Sequence, residues 1–70
     1  MAGLYWVRVQ IVSGIDGRVI HEEVYTVEAL NVRAAELAGR EEAQDSEHFD
    51  ERIKPRIRVV RAARCDCAAA

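Results

Sequence analysis

The sequence predicts an α+β fold: a three-stranded antiparallel sheet of ββαβ connectivity, strand order 2-1-3, with one helix packed on one face. Three observations predict it. Residues 4–12 alternate apolar and polar side chains, and so do residues 56 to about 63. An Asp16-Gly17 step separates the first strand from a second apolar-rich run at 19–28. Alanines and a leucine then recur at helical spacing behind an Asn. At 70 residues the chain holds one domain, assigned to 1–64, with 65–70 as a fraying tail. One core of this size supplies about 3–5 kcal/mol of net stability.

In the first strand Tyr5, Val7, Val9 and Ile11 share one face, and Trp6, Arg8 and Gln10 the other. Ser13 to Arg18 forms the turn, with Gly14 and Gly17 both able to take positive φ. The returning strand divides its apolar residues between two parities: Val19, Tyr25 and Val27 against Ile20 and Val24. Ile11 therefore faces either Ile20 or Val19, and a bulge near Glu22-Glu23 is expected to reconcile the two sets.

Asn31 is placed to N-cap a helix over 32–43. Ala34, Ala35, Leu37, Ala38 and Ala43 form its apolar face, and Glu36 and Arg40 have the spacing of an i,i+4 ion pair. The small alanine face predicts close approach of helix to sheet, and Gly39 lowers helix stability by about 1 kcal/mol relative to Ala. Phe49 is the expected anchor of the loop that follows. Pro55 ends any helix and opens the last strand. A right-handed crossover then lays that strand beside the first. One sheet face, carrying Trp6, Arg8, Gln10, Arg56 and Arg58, and two strand edges remain uncovered. A homodimer through the open face or an edge is the expected remedy.

The net charge of −2 hides a strong asymmetry. Glu41, Glu42, Asp45, Glu47, Asp50 and Glu51 are followed by Arg52, Lys54, Arg56, Arg58, Arg61 and Arg64. The simplest expectation is mutual neutralisation of the two blocks. The sharper one is two separate faces, each for a partner.

Catalytic chemistry finds little purchase. His21 and Glu23 share a strand face, but no serine–histidine–acid set accompanies them, Ser13 and Ser46 lying in loops. The glycines make no phosphate loop. Cys65 and Cys67, with one residue between them, lack zinc spacing and read as reduced thiols, which places the chain in the cytoplasm. His48 reads as a solvated loop residue. The sequence therefore implies no catalytic residue, no metal, no cofactor and no membrane span.

The stretch Val24-Tyr-Thr-Val-Glu-Ala29, then Ala34-Ala-Glu-Leu-Ala38 and Arg40-Glu-Glu-Ala43, resembles small phage and mobile-element proteins of the anti-CRISPR type. The likeness covers about residues 5–60 and rests on pattern. It implies a stoichiometric inhibitor that binds a Cas subunit or another nucleic-acid-binding protein through charged surfaces. Glu41, Glu42, Asp45, Glu47 and Asp50 are the candidate contacts if the target is basic. The alternatives are a small nucleic-acid-binding regulator using Trp6, Arg8, Arg56, Arg58 and Arg61, or a subunit of a larger phage assembly.

Overall fold

A computed structural model describes residues 2–65. Strand β1 spans Gly3–Val12, β2 Val19–Ala29 and β3 Arg56–Arg64. Helix α1 spans Val32–Gln44, and a 3-10 turn at Glu51–Ile53 precedes β3. The sheet order is β2-β1-β3, with both neighbours antiparallel to β1. This is the ββαβ arrangement that the alternation and the crossover rule predict.

The hairpin register differs from both expected pairings. Ile11 faces His21, Val9 faces Glu23, Val7 faces Tyr25 and Tyr5 faces Val27. The irregularity falls between Ile11 and Val12, where Ile20 is the extra residue, and not at Glu22-Glu23. Placing the bulge beside the turn keeps Tyr25, Val27 and Ala29 on the helix side for the whole length that α1 covers. Ile20 and Val24 are left exposed on the other face. A second bulge, between Arg8 and Val9, lies against β3, where Arg8 faces Arg61 and Val9 faces Val59.

The core is a layer of Val7, Val9 and Ile11 from β1, with Val27 and Ala29 from β2, beneath Ala35 and Ala43 of α1. Asn31 caps the helix as its residue type predicts, its Oδ1 accepting from the Ala34 N–H at 2.8 Å. The buried stripe is Ala35, Gly39 and Ala43, one residue per turn. Leu37, expected on the apolar face, is 57% exposed, because the contact line runs through the smallest side chains. A Cβ on Gly39 would lie 2.7 Å from Val7 Cγ1. The glycine thus sets how closely α1 sits on β1.

The two hairpin glycines have different tasks. Gly17 takes φ 74° and donates to the Ser13 carbonyl at 3.0 Å. Gly14 has no positive φ. Instead, its N–H donates to the Ile53 carbonyl at 2.9 Å, and a Cβ there would overlap the Lys54 carbonyl oxygen. Lys54 itself is left-handed, φ 49°, where it closes the 3-10 turn. The substitutions should therefore separate. Gly17→Asn is expected to be nearly neutral, since Asn tolerates the left-handed region. Gly14→Asn should lose about 2–3 kcal/mol in a urea titration, because backbone must move and a hydrogen bond opens. Equal losses would contradict this division.

Candidate functional site

The acidic residues form a ridge because of which helix face is buried. With Ala35, Gly39 and Ala43 inward, Glu41 and Glu42 point outward from the last turns, and Asp45 follows as the C-cap. The last turn carries no basic residue. Negative charge at the negative end of the helix dipole works against the helix. The chain then turns through Ser46, whose Oγ accepts from the His48 N–H at 3.2 Å, and Phe49 packs on the core as expected. Glu47 is 90% exposed. Asp50 is engaged locally: its Oδ1 accepts from the Arg52 N–H at 3.0 Å, and its carboxylate holds the Arg52 guanidinium at 2.9 Å. The Arg52 side chain and N–H hold the Asp50 carboxyl below its ordinary pKa.

His48 is an exposed loop residue, as its sequence setting suggests, and it also makes a ring contact. Its ring stacks on His21 of β2, with centroids 3.9 Å apart and planes 20° from parallel. His21 Nε2 lies 3.2 Å from Glu23 Oε1. This stack ties the acidic loop to the β2 side of the molecule. Tyr25, also on β2, is pushed above its ordinary pKa, first by burial, then by its hydrogen bond to Glu23 and by the charges of Glu23 and Glu42. Glu42 is thus electrostatically felt on the β2 flank.

The expected mutual neutralisation is confined to Asp50 and Arg52, where the two blocks meet. Among the described residues, segment 41–51 makes one ion pair, Asp50 with Arg52, and Glu47 lies 3.9 Å from the His48 ring, both within the loop and its continuation. Neither reaches β3. The Glu36–Arg40 pair is likewise absent. Arg40 leans toward β3, where its Nη1 donates to the Ile57 carbonyl at 3.4 Å.

On the open face the strand register brings Trp6 beside Ala63, Arg8 beside Arg61, Gln10 beside Arg58 and Val12 beside Arg56. The Arg61 guanidinium carbon sits 5.4 Å from the centroid of the Trp6 ring, within reach of a cation–π contact. Arg8 departs from its expected part in a basic face. Its Nη2 and Nε donate to Glu22 Oε1 at 2.8 and 3.1 Å, and Gln10 Nε2 donates to Glu22 Oε2 at 2.6 Å. Arg56, Arg58 and Arg61 have no carboxylate partner among the described residues.

The Gln10 and Arg8 donors hold the Glu22 carboxyl below its ordinary pKa. A carboxyl depressed on folding adds stability above its unfolded value, and that stability is lost as pH falls through the folded value. Acid titration followed by circular dichroism between about pH 6 and pH 3 should therefore show wild type losing stability more steeply than Glu22→Gln. Parallel curves would mean that the network does not couple to folding.

The remaining chemistry is sparse. No group of three or more His, Cys, Asp or Glu side chains among the described residues could hold a metal ion. Ser13 is buried, and its Oγ accepts from the Ile15 N–H at 3.2 Å. No helix among the described residues is long and apolar enough to cross a membrane. Cys65 is disulfide-bonded, which corrects the expectation of a reduced thiol there, and Cys67 lies outside the described residues. Cys65 is also not frayed: its N–H donates to the Leu4 carbonyl at 2.8 Å. The rest of the predicted tail, 66–70, lies outside the described residues.

Comparison with family models, with curated proteins and with solved structures finds no match to this chain.

Proposed function

We propose that this chain is a small non-catalytic binding protein that docks its acidic ridge on a basic, nucleic-acid-binding surface of another protein. The anti-CRISPR-type inhibitors it resembles in pattern supply the concrete version: a phage or mobile-element protein that occupies a CRISPR–Cas protein or complex in the cytoplasm. The supporting observation is the ridge itself. Glu41, Glu42, Asp45 and Glu47 stand exposed, no arginine pairs with them among the described residues, and the first two load the wrong end of a helix dipole. Folding gains nothing from that placement. Carboxylates in such a row attract a basic groove and speed encounter with it at low salt. Asp50 joins the same segment but also caps the following turn.

The test is competition. A purified Cas effector complex holding labelled target DNA should release it as the protein is added, with one protein per complex at saturation. Unchanged DNA binding by several effector classes would remove the CRISPR–Cas assignment.

A second reading has one observation in its favour. Arg56, Arg58 and Arg61 form an unneutralised basic strip next to Trp6, which suits a nucleic-acid backbone with one stacked base. Under that reading, binding falls steeply with salt, and Arg56→Glu with Arg58→Glu abolishes it.

A further inference from the structure

Beside the hairpin, a cleft of about 580 Å³ opens at the edge strand β3. Arg40, Arg56 and Arg58 line it together with Ser13, Gly14 and Ile57, and no acidic residue takes part. The three cations arrive from two elements. Arg56 and Arg58 flank Ile57 in β3, and Arg40 reaches from α1 to the Ile57 carbonyl. None of the three has a carboxylate partner among the described residues. Three arginines lining one cleft concentrate positive charge there, which favours an anion.

We propose that this cleft binds a phosphate-bearing anion, a site separate from the acidic ridge. The chemistry of the walls selects the ligand class. The backbone donors of the hairpin are already spent: Ser13 N–H goes to the Arg18 carbonyl, Gly14 N–H to Ile53 and Gly17 N–H to Ser13. Recognition therefore falls to the guanidinium groups, whose planar forks match two phosphate oxygens at a time. A ligand of several negative charges uses all three arginines. A single carboxylate does not. Arg40 gives up only one weak hydrogen bond to take part, since its contact with Ile57 uses one N–H of five. The phosphate can come from a small phosphorylated molecule or from the terminal phosphate of a nucleic-acid strand.

Inorganic pyrophosphate titrated into the protein at about 150 mM salt, read by calorimetry, tests the site. Saturable 1:1 binding is expected, and Arg40→Gln or Arg58→Gln should weaken it about tenfold or more. Arg61→Gln removes the same charge from the sheet face outside the cleft, and should change affinity less than about twofold. All three positions are exposed, and thermal melts of the variants verify their fold. Competition by a 5′-phosphorylated oligonucleotide, and not by its unphosphorylated form, would support the site with a strand end as the source. Pyrophosphate binding that neither oligonucleotide displaces would support it with a small molecule as the source. Absence of saturable binding, or equal weakening by Arg40→Gln and Arg61→Gln, would overturn the proposal. So would equal competition by both oligonucleotides.

Discussion

Replacing Gly39 with alanine is expected to destabilise the protein by about 1–2 kcal/mol, although alanine is the better helix former. Two effects oppose each other. The helix gains about 1 kcal/mol from the lost backbone freedom of glycine. Against it, the new methyl carbon would lie 2.7 Å from Val7 Cγ1 and 3.4 Å from Val9 Cγ2. Val7 is fully buried and β-branched, so its methyl has nowhere to rotate. Overpacking costs about 1–3 kcal/mol, and a contact this short against a fully buried side chain falls in the upper half, about 2–3, so the steric clash outweighs the gain in helix propensity. For a domain with about 3–5 kcal/mol in hand, the melting temperature should fall by roughly 5–15 °C. A double-mutant cycle with Val7→Ala isolates the cause. Gly39→Ala should cost much less once Val7 is truncated, because the methyl then fills the space left. A rise in melting temperature from Gly39→Ala alone would show that propensity governs the site, and that α1 is not held at contact distance.

The second large effect is on binding. Reversing Glu41, Glu42, Asp45 and Glu47 to lysine changes the formal charge from −2 by +8 to +6. Opposed to a basic partner, the ridge then repels where it attracted. Affinity at low salt should drop by at least about 100-fold, mostly through slower association. Folding should be unharmed or improved, because lysines near the C-terminal end of α1 complement the helix dipole. That opposition of signs is the useful feature: stability up and binding down cannot come from a misfolded variant. Asp50 is left out of the set because its carboxylate caps the 3-10 turn and holds Arg52. Arg56→Glu with Arg58→Glu should leave the same partner bound. Loss of binding in that variant alone would move the contact to the sheet face.

Strand order, helix span and the N-cap are legible in the sequence because each rests on a local pattern. Alternation marks strands, Asn31 precedes an alanine repeat, and Asp16-Gly17 marks a reversal. The position of the bulge is not legible, because local spacing does not say where along β2 the helix stops covering the sheet. That boundary leaves Ile20 and Val24 outside. Gly39 looks like a weak point in a helix because propensity is a one-residue property, while its use is a contact with Val7 on another element. The acidic block is visible as composition. Its pairing with the basic block, confined to Asp50 and Arg52, is not, because a run of charges does not say which members the fold brings within reach. The contacts of His48 and Arg40 are hidden for the same reason. One reaches His21 across 27 positions, and the other Ile57 across 17. The cleft arginines carry a signal in the Arg56–Ile57–Arg58 alternation, but nothing in the sequence joins Arg40 to them.

On the proposed reading the acidic ridge and the arginine strip are separate faces, and the ridge takes a basic protein. Capture from nuclease-treated bacterial lysate at low and moderate salt, run in parallel with wild type, the ridge-reversed variant and the Arg56→Glu, Arg58→Glu variant, tests it most directly. Mass spectrometry should identify one nucleic-acid-binding protein or complex retained by wild type and by the arginine variant and absent from the ridge-reversed one. Retention of that partner by the ridge-reversed protein, or recovery from wild type of nucleic acid alone before nuclease and nothing after it, would contradict the account.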